Sequence, residues 1–230
     1  MEKYCIVNTK NKLFIEKLEK YGYKCIATEK SADVSQPISL HADVLYLKTD
    51  DNTLYVSECQ KINIKLFKEL GYNVKTVKLA PGYETECKLN MVVTDDLILC
   101  NPKTCLNPEE IKSDRQIINV NQGYTKCSTV VTGKDSFITE DKGIYNILKQ
   151  NGKNCLLIEK GYVNLEGYEY GFIGGASIYL EEKKTLLFFG DISKHKDYSN
   201  IKNFISKYGI RIDYTKNVQL EDIGGAIILK

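Results

Sequence analysis

The residue types that carry most nucleophilic and acid–base chemistry are unequally supplied in this chain, with eight cysteines but only two histidines. His41 stands two places before a carboxylate in His41-Ala42-Asp43. An imidazole moves protons near neutral pH, and a neighbouring carboxylate orients it and stabilises its charged form. Cys127 lies in Gly123-Tyr124-Thr125-Lys126-Cys127-Ser128, and a thiol becomes a nucleophile once a base takes its proton. A fold that brings Cys127 to His41 and Asp43 would place thiolate chemistry within reach. Each residue also has a structural reading: His41 as a hydrogen-bonded interior group, Cys127 as a packed thiol, and Asp43 and Asp222 as carboxylates that satisfy backbone amides. Both readings predict burial.

The other reactive side chains point away from a second site. His195, in Lys194-His195-Lys196-Asp197, precedes an amphipathic segment from Tyr198 to Lys207 and reads as solvated chemistry at a helix start. Cys100 and Cys105 are the tightest cysteine pair, no Cys-x-x-Cys occurs, and two histidines leave few zinc ligands, so neither a metal nor a cofactor is expected. Cys5, Cys25, Cys59 and Cys155 adjoin apolar strand-like runs and read as small buried hydrophobes. Gly174-Gly175 and Gly224-Gly225 lack the spacing of phosphate-binding loops. The sixteen tyrosines are scattered, with Tyr162, Tyr168 and Tyr170 the densest group, and without interleaved arginines they are no stacking platform for single-stranded nucleic acid.

Composition sets the frame for these residues. The chain has 230 residues, 43% hydrophobic, enough for a sizeable core and compatible with one domain over residues 1–230. Thirty-two Lys and Arg against thirty Asp and Glu leave a net charge of +2, which offers no global attraction for nucleic acid or an anionic membrane. No apolar run is long enough to span a bilayer, and Met1-Glu2-Lys3-Tyr4 opens no apolar signal segment, so a cytoplasmic location with free thiols is expected.

The elements that must position the site recur. An amphipathic helix, a glycine and a β-rich strand follow one another at Phe14 to Ala27, Ile64 to Val77, Ile144 to Ile158 and Ile201 to Ile212. Apolar residues at i, i+3 and i+4 mark one buried helix face, and Gly22, Gly71, Gly152 and Gly209 stand where a left-handed cap ends a helix. A fifth, reduced unit is expected between Leu89 and Val120, with strands at Leu89–Thr94 and Leu97–Cys100, a short helix near Pro108–Ile111 and a strand at Gln116–Val120. Hairpins are predicted ahead of the helices: Val44–Leu47 with Thr53–Val56 across Thr49–Asn52, Thr129–Thr132 with Ser136–Thr139 across Gly133–Asp135, and Ser177–Leu180 with Thr185–Phe189. The first unit has only Tyr4–Val7 before its helix, and Ala226–Leu229 is left over at the other end. The two ends therefore complete one unit and close a ring.

Five strand-strand-helix-strand units closed in this way resemble the pentein fold, the five-bladed, pseudosymmetric α/β-propeller of the guanidine-modifying enzymes. The chain is closer still to an uncharacterised bacterial family with that fold. The segments carrying that likeness are His41-Ala42-Asp43-Val44, Gln122 to Ser128, Ile138 to Ile144, Gly167 to Ser177, Gly190-Asp191 with His195, and Asp222-Ile223-Gly224-Gly225. The resemblance implies a Cys nucleophile, a proton-shuttling His in His-x-Asp, and carboxylates that grip a guanidinium. His41-Ala42-Asp43 matches the His-x-Asp pattern. The pattern's nucleophile, near the C-terminus after a Gly-rich segment, is missing, because Gly224 to Lys230 holds no cysteine. Cys127 is the available substitute. In such a ring the starts of the first strands converge, so His41, Asp43 and Cys127 are the expected catalytic residues. Asn90, Ser128, Glu169, Ser177 and Asp222 are the expected substrate-binding residues, with Tyr168 and Glu169 at the rim. The implied function is a cysteine-dependent hydrolase or transferase acting on a small guanidino or amidino compound. The other reading, prompted by the missing C-terminal thiol, is a non-catalytic scaffold that binds a small molecule or a protein.

Overall fold

A computed structural model describes residues 2–50, 52–111, 113–133 and 135–229. Asp51 and Lys134, each in a predicted hairpin turn, lie outside the described residues, as do Met1 and Lys230.

The first unit runs β1 (Lys3–Val7), α1 (Lys12–Lys20), β2 (Tyr23–Ala27). The second runs α2 (Ala42–Leu45), β3 (Tyr46–Lys48), β4 (Thr53–Ser57), α3 (Lys61–Glu69), β5 (Asn73–Val77). The third has α4 (Tyr83–Glu86), β6 (Val92–Val93), β7 (Leu97–Cys100), a 3-10 turn at Pro108–Glu110 and β8 (Gln116–Asn119). The fourth is β9 (Thr129–Val131), β10 (Ser136–Thr139), α5 (Lys142–Gln150), β11 (Asn154–Leu157). The fifth is β12 (Ser177–Leu180), β13 (Thr185–Phe188), α6 (Tyr198–Ser206), β14 (Arg211–Tyr214), and β15 (Ala226–Leu229) follows.

Among the described residues these strands form five separate three-stranded sheets with one plan. In each, the central strand pairs antiparallel with the first and parallel with the third, as in β3-β4-β5, where Tyr46 faces Val56 and Leu54 faces Val74. The hairpin supplies the antiparallel pair and the helical crossover the parallel one. β15 takes the first place in the sheet of β1 and β2, with Tyr4 opposite Leu229 and Val7 opposite Ala226. The two ends of the chain thus complete one blade. The five first strands also line one hollow, which includes Tyr46, Val92, Val130, Ile178 and Ile227.

The four long helices cover the blades with one apolar face each. Phe14 and Leu18 of α1 pack with Cys5, Val7 and Phe189, and Ile144 and Leu148 of α5 pack with Phe137 and Leu99. Each such side chain contributes about 1.5–3 kcal/mol by leaving water. The four predicted cap glycines follow these helices with φ of 92°, 88°, 74° and 70°.

Two predicted strands are shorter than the sequence suggests. Val44 and Leu45 belong to α2, because their amides close a helical turn onto the His41 carbonyl at 3.2 and 3.1 Å. That turn buries Ala42 and Asp43 and directs the Asp43 amide to the Gly224 carbonyl at 3.0 Å. Leu89 to Met91 form a turn, with the Asn90 amide donating to the Cys87 carbonyl at 2.9 Å, so only Val92–Val93 pairs as strand. In both places the chain departs from β-structure where a polar side chain must point into the centre.

Candidate functional site

Three segments distant in sequence meet at one end of the ring. His41 and Asp43 come from the turn before β3, Cys127 from the turn before β9, and Asp222 from the approach to β15. All four are at most 3% exposed. The ligating atoms of His41, Asp43 and Cys127 lie within 4.8 Å of one another. The Cys127 thiol donates to Asp43 Oδ2 at 3.0 Å. His41 Nδ1 is 3.7 Å from Asp222 Oδ1 and makes no hydrogen bond, and Asp43 Oδ1 also has no partner. Buried polar atoms without partners are rare, and here two of them belong to the same small cluster.

Asn90 holds this cluster from behind. Its Nδ2 donates to the Asp43 carbonyl at 2.9 Å and to Cys127 Sγ at 3.0 Å, while its Oδ1 accepts from the amides of Lys126 and Cys127 at 2.8 and 3.2 Å. The amide side chain is fully engaged with protein. Ser128 is buried with its hydroxyl unpartnered, outside the residues that line the cavity beside Cys127. The Ser177 hydroxyl donates to the Ile173 carbonyl at 2.9 Å, and this residue lines the hollow between the first strands. Of the residues expected at the site, the structure brings His41, Asp43, Asn90, Cys127 and Asp222 together, leaves Glu169 exposed at the cavity's edge, and turns Ser128 and Ser177 elsewhere.

The glycine pairs are explained by this crowding. A Cβ on Gly175 would lie 2.0 Å from Asp222 Oδ1, and one on Gly224, whose φ is +78°, would lie 2.3 Å from the His41 Cα. Neither gap admits a side chain. Gly175 also donates to the Cys127 carbonyl at 3.0 Å and accepts from Gly225 at 2.7 Å. Asp222 accepts from the amides of Phe172 and Gly224 at 2.9 and 3.0 Å. The Gly-Gly segments therefore let backbone approach the site's own side chains.

Electrostatically the cluster is rich in anions. Burial, together with the neighbouring Asp43 and Asp222 carboxylates, raises the Cys127 thiol well above its ordinary range, so the proton stays on sulfur in the free protein. Burial also pushes Asp222 up to about 6, opposed by His41 and reinforced by Asp43. Glu140, whose carboxylate accepts from the Ile173 amide at 3.0 Å, is pushed up to about 8 by burial and by the Asp222 and Asp141 charges. A cation entering this region would offset like charges that the protein leaves uncompensated.

A cavity of about 270 Å³ opens onto the cluster, lined by His41, Cys127 and Asp222 and walled by Tyr124, Tyr168, Tyr170 and Phe172, with Ile38, Leu165 and Glu169. The walls are braced. The Tyr124 hydroxyl donates to Glu86, whose other oxygen accepts from the Ser35 amide and hydroxyl at 2.8 Å each. Tyr124 packs against Tyr83 and Phe172 with centroids 5.7 and 6.3 Å apart, and Phe172 meets Tyr170 at 6.4 Å. Sequence reasoning missed Tyr124, Tyr170, Phe172, Glu86 and Glu140, since scattered aromatics carry no spacing signal until the blades bring them together. Tyr124, three places before Cys127, Phe172, two before Gly174, and Tyr170, two after Tyr168, had positional hints.

His41, Asp43 and Cys127 are also a donor set that could hold a metal ion, which two histidines and no Cys-x-x-Cys did not suggest. His195 corrects a second expectation. It is 4% exposed rather than solvated: its Nδ1 accepts from the Asp197 amide at 3.0 Å, its Nε2 has no partner, and its ring packs against Tyr162 at a tilt of 39° with centroids 4.6 Å apart. No helix among the described residues is long and apolar enough to cross a membrane. All eight cysteines are free thiols, with Cys5 and Cys155 buried and Cys25 and Cys59 partly exposed.

Comparisons with known proteins bear on the fold. No curated protein matches the sequence. Among solved structures, the chain is similar to the Pseudomonas aeruginosa dimethylarginine dimethylaminohydrolase, as a Cys-to-Ser mutant complexed with citrulline, at a TM-score of 0.61 and 10% identity over 100% of this chain and 99% of that one. It is similar to a C. jejuni agmatine deiminase, a Cys-to-Ser form with substrate bound, at 0.57 and 12% over 99% and 93%. It is also similar to an amidinotransferase of the saxitoxin biosynthetic pathway from Microseira wollei, at 0.58 and 10% over 89% and 73%. At these identities the likeness is one of fold. A family profile described as a family of unknown function, DUF6873, matches residues 6–227. The chain belongs to that family, and it is built on the pentein fold.

Proposed function

We propose that the chain is a cysteine-dependent hydrolase or transferase acting on a small guanidino or amidino compound, with Cys127 as nucleophile, His41 as general acid and base, and Asp43 and Asp222 holding the cation. The reading rests on one observation above others: His41, Asp43 and Cys127 converge within 4.8 Å, buried, and His41 and Cys127 of this set line an aromatic-walled cavity. The similar solved structures supply the reaction class to be tested, since their names include a dimethylaminohydrolase, a deiminase and an amidinotransferase.

The chemistry follows from the charge balance. In the free protein the thiol is protonated and inert. A guanidinium bound beside Asp43 and Asp222 supplies the positive charge that favours thiolate, and the thiol proton passes to His41 or to Asp43. Sulfur then bonds to the guanidinium carbon. The carbon–nitrogen bond breaks, and the leaving amine takes a proton from His41. Water, deprotonated by His41, attacks the same carbon, the carbon–sulfur bond breaks, and a urea leaves with the thiol restored. An amine in place of that water would make the reaction a transfer.

An alkylating amidine tests this directly. Chloroacetamidine carries its own cation and should modify Cys127 ahead of the other seven thiols, whereas neutral iodoacetamide should favour the more accessible Cys25, Cys59 and Cys105. Peptide mass spectrometry reads both. An amidine adduct spread over the accessible thiols, together with no urea product from a panel of guanidines, would refute the enzyme and favour the binding scaffold. That second reading draws on the raised Cys127 thiol and the absent C-terminal cysteine.

A further inference from the structure

The walls of the cavity speak to the rest of the ligand, not only its charged head. Resting on the guanidino or amidino reading above, we infer that the site takes a carboxylate-free cation: a guanidinium or amidinium on an alkyl or aryl body, and not a free amino acid.

Three observations carry this. First, among the described residues the lining of the 270 Å³ cavity contains four aromatic rings and two aliphatic side chains but no lysine or arginine. A carboxylate brought there would lose water and find no cationic partner, which binding sites built for amino acids avoid. Second, the charged groups of the lining are carboxylates, Asp222 at the floor and Glu169 at the exposed edge. Glu169 would face the tail of any ligand whose head lies at Cys127, repelling a carboxylate and tolerating an apolar or amine-bearing end. Third, Tyr124 is held in place by Glu86, Ser35 and Tyr83, and it packs against Phe172, which meets Tyr170, so this stretch of the apolar wall is preformed. Aromatic faces bind the delocalised charge and the alkyl body together.

Lysines stand in neighbouring hollows. Lys160 sits 5.4 Å over the Tyr170 ring and lines the adjoining hollow beside Glu140. Lys10 and Lys12 line a separate hollow that shares only Leu165, His41 and Asp222 with this one. An amino-acid carboxylate would reach Lys10 and Lys12 through the His41, Leu165 and Asp222 border that the two hollows share.

Calorimetry on the full chain separates these possibilities, with Cys127→Ala used to silence turnover. N-butylguanidine and arginine share the guanidinium and a short alkyl chain, and they differ in the amino-acid end. Butylguanidine should bind at least about tenfold more tightly than arginine. Glu169→Lys should narrow that gap by strengthening arginine, while Glu169→Gln should do so less, and Lys10→Ala with Lys12→Ala should leave both ligands unchanged. Arginine binding as well as butylguanidine, arginine binding that depends on Lys10 and Lys12, or no binding of either would overturn the inference. Tight butylguanidine binding to the wild-type chain with no butylurea and no covalent adduct would uphold it while removing the enzyme.

Discussion

The chain's two histidines are buried almost equally, at 2% and 4% exposure, yet their surroundings share little. His195 accepts an amide two residues away and stacks on one tyrosine, contacts that join the local chain to a neighbouring segment. His41 faces the Asp43 carboxylate of its own turn and a thiol and a second carboxylate contributed by two other parts of the ring, with Nδ1 left unpartnered. Burial therefore does not distinguish the two. Nor does an unpartnered nitrogen, since His195 Nε2 also lacks a partner; what distinguishes them is that His41 stands with a thiol and carboxylates at a cavity, whereas the contacts of His195 are an amide and one tyrosine. Desolvation depresses the charged form of His195, whereas the anions around His41 concentrate where a cation is wanted.

The contrast breaks most readily in kinetics. Cys127→Ala should lower turnover of a guanidine at least about 1000-fold, because the step that forms the covalent intermediate disappears. His41→Ala should lower it about 100- to 10,000-fold, as expected for a lost acid–base group. His195→Ala should leave turnover within about twofold and lower unfolding free energy by about 1–3 kcal/mol, measured by urea titration. Equal kinetic loss in both histidine variants would erase the distinction. Gly175→Ala probes the same crowding without replacing a titrating group: a methyl 2.0 Å from Asp222 Oδ1 must displace one segment or the other. It should cost about 1–3 kcal/mol and depress activity by moving Asp222, whereas Gly161→Ala, with no atom within 4 Å of its Cβ but a φ of +92°, should cost only its backbone strain of about 1–2 kcal/mol.

How much of this was legible differs between fold and site for a physical reason. Helix faces and cap glycines are local signals, so the four long helices stand where the i, i+3, i+4 pattern put them, and the unpaired strands at the two ends implied ring closure. Val44 and Leu45 looked like strand because β-branched and apolar residues in a row carry no mark of the tertiary bond from the Asp43 amide to Gly224 that favours a helical turn. His-x-Asp is a short-range pattern and could be read. The role of Asn90 behind Cys127 and the placing of Tyr124 and Phe172 across one cavity depend on segments some 30 to 50 residues apart, and nothing in local spacing encodes them. Solvation was misjudged at His195 because lysines on both sides suggested a surface that the stacked Tyr162 in fact covers.

The smallest effect is a pH slope, and it tests whether the anionic excess belongs to the His41 side alone. Glu140 is held near 8 in the folded chain against an ordinary value of 4.5. The folded state thus keeps a proton that the unfolded chain releases, and the resulting stability is complete below about 4.5 and is lost as pH rises through 8. Asp222 acts in the same direction, but its window closes near 6. His195 acts oppositely, since a folded value below the ordinary 6.5 makes stability rise as pH climbs through that range. Above pH 6.5, then, the decline belongs chiefly to Glu140. Unfolding free energies of wild type and Glu140→Gln, compared by urea titration at pH 6.5, 7.25 and 8, should diverge in favour of the variant by up to about 1.4 kcal/mol per pH unit. Because the comparison is a difference, His195 and Asp222 cancel to first order. Parallel curves would mean that Glu140 is compensated in the folded chain, and the cation demanded by the site would then fall to Asp43 and Asp222 alone.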